Sequence, residues 1–281
     1  MSWRSVIDFG LYSSLFIAAC AFGLVAQTYL LLGEEVSWRV AGMLFFATLF
    51  LYNLDSLIPI QVRRPIPFSE KKKWLADHRQ VIQWVAVVAG VLVLGIFLTG
   101  SPVFPVWFLL HLFLISVLYT FPVVRREYRF LPLRRVPLLK VFLIAYVWAA
   151  LTVLLPLLYL GRDLFAPEHG WMFVRRFLFV FALALLFDIR DQTSDKVLGT
   201  YTFPVMMGIR FTKGLSLLMM LLFMLLTLVQ TTANEAIALL LSGVLSVLVI
   251  VFSEEGKPEH YFVGLADGMM LLQFLLVWFF V

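Results

Sequence analysis

Nine stretches of predominantly apolar sequence, each about 20 residues long, follow one another along the chain with little between them. They fall at roughly 9–32, 41–60, 80–99, 102–122, 138–160, 171–187, 214–232, 236–252 and 261–281. Each is about the length that a helix needs to cross the hydrocarbon of a bilayer, where only internally bonded backbone is tolerated. The expected fold class is therefore an all-α polytopic membrane protein of nine transmembrane helices, read as one domain over residues 1–281. The composition agrees: 62% of residues are hydrophobic and 14% charged, too apolar for a soluble globule or a disordered chain. One cysteine, Cys20, rules out a disulfide framework and a cysteine zinc site. No cleavable leader is expected, and the first run is read as the first span.

Alternation of nine spans sorts the loops into two sets. The N-terminus and the loops near 61–79, 123–140, 188–213 and 253–260 hold 18 of the 22 basic residues. The other set keeps Arg39, Arg162, Arg175 and Arg176, and the last two are expected to snorkel from the short sixth span. The positive-inside rule then puts the N-terminus in the cytoplasm and the C-terminus outside. The bacterial inner membrane is the expected location. No nucleic-acid partner and no extramembrane domain is expected, so any chemistry belongs on the cytoplasmic side.

Ionisable residues inside or beside a span are costly, which makes each a candidate for function. Asp188, Asp191 and Asp195 are spaced i, i+3 and i+7, so on a continuous helix they lie within about 60° of one another. Such a stripe repels itself, and a hard divalent cation would relieve the repulsion. A solvated helix end with capping aspartates is the plainer reading. Arg190 lies about 200° round from Asp188, so spacing alone does not make it a neutraliser of the stripe. Gly199, Pro204 and Gly208 then interrupt the helix. A second polar cluster holds Asn53, Asp55 and Ser56, followed by Arg63, Arg64 and Pro65, and is poorer in acid. A third follows Tyr119-Thr120-Phe121-Pro122 and contains Arg125, Arg126, Arg129, Arg134, Arg135 and Lys140. Its charges suit anionic lipid head groups, and as a group they also suit a phosphate. Asp267 lies between glycines at 264 and 268, where a hydrogen bond across a close helix contact and a place in an acceptor pocket are both open. His111 is expected to be a core histidine.

The run D-I-R-D-Q-T-S-D-K-V-L-G-T-Y-T-F-P-V-M-M-G at 188–208 resembles the second aspartate-rich motif of the UbiA superfamily of intramembrane prenyltransferases. That motif reads D-x-x-D-x-x-x-D-x-x-x-G and trails into T-x-P-V-x-x-G. The layout of nine spans with both polar motifs on one side also fits. The first motif departs from the family's N-D-x-x-D-x-x-x-D. With the Arg64-Pro65 pair as anchor, Asn53, Ser56 and Ile60 occupy the acidic seats; with Asn53 as the family's Asn, Leu54 and Leu57 occupy the first two; in either register only Asp55 supplies a carboxylate nearby. The resemblance implies Mg²⁺-dependent transfer of a prenyl group from a polyprenyl diphosphate to a membrane-accessible acceptor, often an aromatic ring. It further implies metal seats at Asp188, Asp191 and Asp195, with Asn53 and Asp55 as a weakened second seat. Arg64, Arg125, Arg126 and Lys140 would contact the diphosphate. The altered first motif keeps a second reading open, a non-catalytic lipid-binding or scaffold subunit of a membrane assembly. A transporter is disfavoured, because no paired interrupted helices are visible.

Overall fold

The computed structural model describes residues 3–57, 70–99, 105–120, 124–126, 129–131, 133 and 136–281. It is helical apart from one short antiparallel hairpin, β1 (Val124–Arg126) with β2 (Arg129–Leu131). The chain divides into two units by its contacts, Met1–Val103 with Pro258–Val281, and Phe104–Lys257.

The first unit contains α1 (Trp3–Tyr12), α2 (Leu15–Leu31), α3 (Trp38–Leu57), α4 (Glu70–Asp77) and α5 (Arg79–Leu98), and ends with a π-helical segment π2 (Tyr261–Ala266) running into α14 (Asp267–Phe280). Helix α2 packs between α3 and α14, and α3 packs on α5. Small residues set the spacing: Ala18, Leu49 and Ala89 are buried together under Phe45, Phe46, Phe50 and Val85. At Gly23 a Cβ would lie 3.1 Å from the Phe274 ring, and at Gly90 one would lie 3.2 Å from Phe50. Deep in the α2–α14 contact, Gln27 Nε2 donates to Gln273 Oε1 at 3.2 Å, so the two amides satisfy each other where water is excluded.

The first apolar run is not one straight helix. The axis bends by 58° between Ser5–Tyr12 and Leu15–Leu31. Ser14 sits there in the left-handed region, φ 67°, which costs a non-glycine residue about 1 kcal/mol. The sequence offers neither proline nor glycine to announce this break. It is held from outside, because Asn53 Nδ2 donates to the Ser13 carbonyl at 3.0 Å.

The second unit is built around α9 (Pro167–Arg190), 24 residues long. Pro167 opens it, where a missing N–H costs nothing. Phe179, Leu185, Leu186 and Ile189 are fully buried along it. Against it pack α7 (Leu139–Ala149), the π-helical segment π1 (Ala150–Leu154), α11 (Phe203–Met207), α12 (Ile209–Gln230) and α13 (Ala233–Val251). The unit also contains α6 (Val106–Thr120), α8 (Leu155–Tyr159) and α10 (Gln192–Leu198). Ser216 Oγ of α12 donates to the Ala182 carbonyl at 2.7 Å, a polar lock between two apolar helices. The α12–α13 contact closes over Gly243, where a Cβ would stand 2.8 Å from Met224 Cγ. Gly243→Leu should destabilise the protein by about 1–3 kcal/mol through overpacking, read as an earlier thermal transition in detergent.

Among the described residues six helices are long and apolar enough to cross a membrane: Trp38–Leu57, Arg79–Leu98, Leu139–Tyr159, Ile209–Val229, Ala233–Val251 and Tyr261–Phe280. The bent pair makes a seventh if it is one span, and Val106–Tyr119 is shorter. The nine spans expected from the sequence exceed this count. The class stands, an integral multi-pass helical membrane protein. The sixth expected span corresponds to α9, and its arginines differ from expectation. Arg175 and Arg176 are buried rather than snorkelling, and Arg175 faces the charge of Glu235 on α13.

Candidate functional site

The aspartate stripe lies at a helix junction. Helix α9 ends at Arg190, Asp191 leaves helical geometry at φ −92°, ψ 6°, and α10 begins at Gln192. The stripe is therefore not carried by one continuous helix, and the three carboxylates do not share one environment. Asp188 is 1% exposed and receives Lys140 Nζ on Oδ1 at 2.7 Å. Asp191, 33% exposed, is gripped by Arg190: Nε donates to Oδ1 at 2.8 Å and Nη2 to Oδ2 at 2.9 Å. Spacing along a continuous helix would turn Arg190 away from the stripe, but the helix stops at Asp191 and the two neighbouring side chains meet. Arg190 also lies over the Phe187 ring, 5.0 Å from its centroid.

Asp195 is 8% exposed, and its Oδ2 is buried without a hydrogen-bond partner. Burial pushes its carboxyl up to about 6; Lys140 pulls the other way, Asp191 and Asp188 add to the rise, and Thr202 opposes it. A buried carboxylate oxygen with nothing bound to it is a group in need of a cation or a proton.

The backbone fixes this arrangement. Gly199 turns left-handed at φ 70° and ends α10. The Thr200 amide then returns to the Asp195 carbonyl at 2.8 Å. Gln192 Nε2 donates to the Pro204 carbonyl, and Glu255 accepts the Thr193 amide at 2.9 Å. Glu255 lies 62 residues from Thr193, so nothing in the sequence pattern points to it. Leu138 precedes α7 in the left-handed region, φ 61°, and its amide donates to the Tyr201 carbonyl at 3.0 Å. That bond ties the start of α7, which carries Lys140, to the loop that follows Asp195.

The other expected residues fall as follows. In the first unit Asn53 is buried with its Nδ2 donating to the Ser13 and Leu49 carbonyls at 3.0 and 2.8 Å, while its Oδ1 is buried and unpartnered. Asp55 lies on the exposed side of α3. Asn53→Asp should destabilise the protein by about 1–3 kcal/mol in thermal unfolding, because a carboxylate would face two carbonyls that now receive a donor. Arg64 lies outside the described residues. Arg125 and Arg126 form part of β1, opposite Phe130 and Arg129, and their side chains lie outside the description. Asp267 is half-buried at the start of α14, and its carbonyl is 3.3 Å from Cys20 Sγ. Gly268 beside it lets the Phe16 ring approach to 3.4 Å of where a Cβ would stand. His111 is not a core residue: it is exposed on α6, with Nε2 3.3 Å from the Tyr146 hydroxyl. Among the described residues no group of three or more His, Cys, Asp or Glu side chains is arranged to hold a metal ion.

A model of the UbiA prenyltransferase family matches residues 52–256. The chain belongs to that family. The match begins at the second polar cluster and ends just beyond Glu255, so α1, α2 and α14 lie outside it. A solved structure described as digeranylgeranylglyceryl phosphate synthase is similar in fold. The TM-score is 0.54 and the identity 13%, over 98% of each chain. No curated protein sequence matches. The expectation of a UbiA-type fold in a membrane therefore stands, and prenyl transfer is the chemistry of the family.

Proposed function

We propose that this chain is an intramembrane prenyltransferase, a single transmembrane domain over 1–281 that transfers a prenyl group from a polyprenyl diphosphate to a membrane-accessible acceptor. The observation that carries the reading is the acidic junction of α9 and α10, above all the buried, unpartnered Oδ2 of Asp195. The donor set fits Mg²⁺, which is commonly held by one or two carboxylates and completed by substrate phosphates and water. Asp188, Asp191 and Asp195 are its proposed seat, with Asn53 and Asp55 as a weakened second seat. Bound there, Mg²⁺ would stabilise charge on the departing diphosphate. Lys140, and by family resemblance Arg64, Arg125 and Arg126, are the proposed diphosphate contacts. Apolar helices keep water from an allylic cation, and Asp267 is the proposed residue of the acceptor pocket. Nine spans, a cytoplasmic N-terminus, an external C-terminus and a bacterial inner membrane complete the proposal.

Isothermal titration of the detergent-purified chain with geranylgeranyl thiolodiphosphate, in Mg²⁺ and in EDTA, tests it. Heat that appears in Mg²⁺ and vanishes in EDTA is expected, and an acceptor screen follows. Folded protein that binds in neither condition would favour the non-catalytic subunit instead. That second reading draws on the acid-poor first motif and on the cations already seated on Asp188 and Asp191.

A further inference from the structure

One face of the second unit carries a row of aromatic rings leading away from Asp188. On α9, Phe181 and Phe177 lie within about 20° of Asp188 around the helix, and Phe173 within about 60°. On α7, Phe142 and Tyr146 are spaced i, i+4 and share a face. The two helices pack together and the rows meet: Phe142 stands 4.8 Å from Phe181, and Tyr146 6.2 Å from Phe173, between ring centroids. Phe181 is buried and also packs on Phe177 at 5.7 Å, so it fixes rings that are themselves more open. Phe142 is 46% exposed, and Phe173, Phe177 and Tyr146 are half-buried.

The row ends on a polar pair. His111 of α6 sets its Nε2 3.3 Å from the Tyr146 hydroxyl, and its ring lies 5.8 Å from the Tyr146 ring. His111 is exposed although it lies well inside an apolar helix. An imidazole within a membrane segment seldom faces hydrocarbon. Its exposed side therefore marks a face turned to a ligand or water rather than to lipid.

We propose, on the strength of the prenyltransferase reading, that this row is the track of the prenyl chain and the His111–Tyr146 pair its end, so that geranylgeranyl is the longest donor the track holds. The rise along α9 from Asp188 to Phe173 is about 22 Å. An extended chain advances about 1.2 Å per bond, so a farnesyl tail reaches about 14 Å, a geranylgeranyl tail about 19 Å and a hexaprenyl tail about 29 Å. With the diphosphate beside Asp188, the first two end on the rings. The third must pass the polar pair and press hydrocarbon against an imidazole and a hydroxyl, which is unfavourable. Phe177 lies about 16 Å along α9 from Asp188, beyond a farnesyl tail and within a geranylgeranyl one.

The test titrates the full chain in detergent, in Mg²⁺, with the thiolodiphosphates of farnesol, geranylgeraniol and hexaprenol. Wild-type protein should bind the hexaprenyl analogue about tenfold or more weakly than the geranylgeranyl one. Phe177→Trp narrows the far part of the track, so geranylgeranyl affinity should fall about tenfold or more. Farnesyl affinity should stay within about twofold in the same variant, because that tail ends before the new ring. His111→Ala opens the end, and hexaprenyl affinity should rise about tenfold while farnesyl affinity stays within about twofold. His111 is exposed, so this variant keeps the test alive if Phe177→Trp fails to fold.

Equal losses of farnesyl and geranylgeranyl affinity in Phe177→Trp would overturn the track while leaving the prenyltransferase reading in place. So would a hexaprenyl affinity that already matches geranylgeranyl in the wild type, or one that His111→Ala leaves unchanged. Folded wild-type protein that binds none of the three analogues would overturn both.

Discussion

Replacing Asp191 and Asp195 together by Asn should weaken Mg²⁺-dependent binding of geranylgeranyl thiolodiphosphate by a factor of about a hundred to ten thousand, at about 1.5–3 kcal/mol per charged contact. The substitution removes two charges and almost no volume. The Asp191 side chain makes no capping hydrogen bond to α10, so the helix should still begin at Gln192 with Asn in its place. Arg190 loses its bonds to Asp191, but at 23% exposure it turns to water at little cost. Asp195 even sheds a buried charge, so the folded state should not suffer for its loss. Titration calorimetry reads the effect, with the thermal transition confirming the fold. Binding within threefold of the wild type would show that the junction is not the cation seat and would move the chain to the scaffold reading.

Lys140→Met should be the most damaging single change to stability. Asp188 would keep its place at 1% exposure with no cation beside it, and breaking a buried pair from one side costs about 3–5 kcal/mol. For a chain of this size that corresponds to roughly 10 °C in the thermal transition. Adding Asp188→Asn should restore most of it, because the penalty belongs to the abandoned charge rather than to the missing bond. Unfolding of the three variants in the same detergent makes the comparison. If Lys140→Met alone melts within 2 °C of the wild type, Asp188 does not depend on the ammonium, and the pair is incidental.

Much of the architecture was legible because a bilayer permits so few solutions. Runs of about 20 apolar residues become helices, as α3, α5, α12 and α13 show. The acidic stripe was legible for a similar reason: three aspartates at the end of an apolar helix are expensive unless they have work to do. Its internal arrangement was not legible. Lys140 and Asp188 are 48 residues apart and meet only because α7 packs on α9. Arg190 reaches Asp191 because the helix stops there, a break that helical spacing does not announce. The bend at Ser13–Ser14 has no proline or glycine to mark it, and its support, Asn53, comes from another helix. Arg175 and Arg176 looked like interfacial anchors by position, yet packing buries them. In each case what escaped was a contact between elements, which periodicity along one element cannot contain.

The π-helical turn at Ala150–Leu154 sits between the part of the helix that carries Lys140 and the part that closes with Tyr159. Such a turn is an α-helix that has accommodated one additional residue. Insertion and deletion are therefore cheap at this point: excising one residue there would relax the turn to α-helix while the helix on either side kept its phase, because the wide turn takes up the extra residue locally. Lys140 would stay opposite Asp188, whereas a deletion elsewhere between Lys140 and the turn would rotate it by about 100°. Chains that differ in length by one across this stretch can then share both the letters of the site and its pairing.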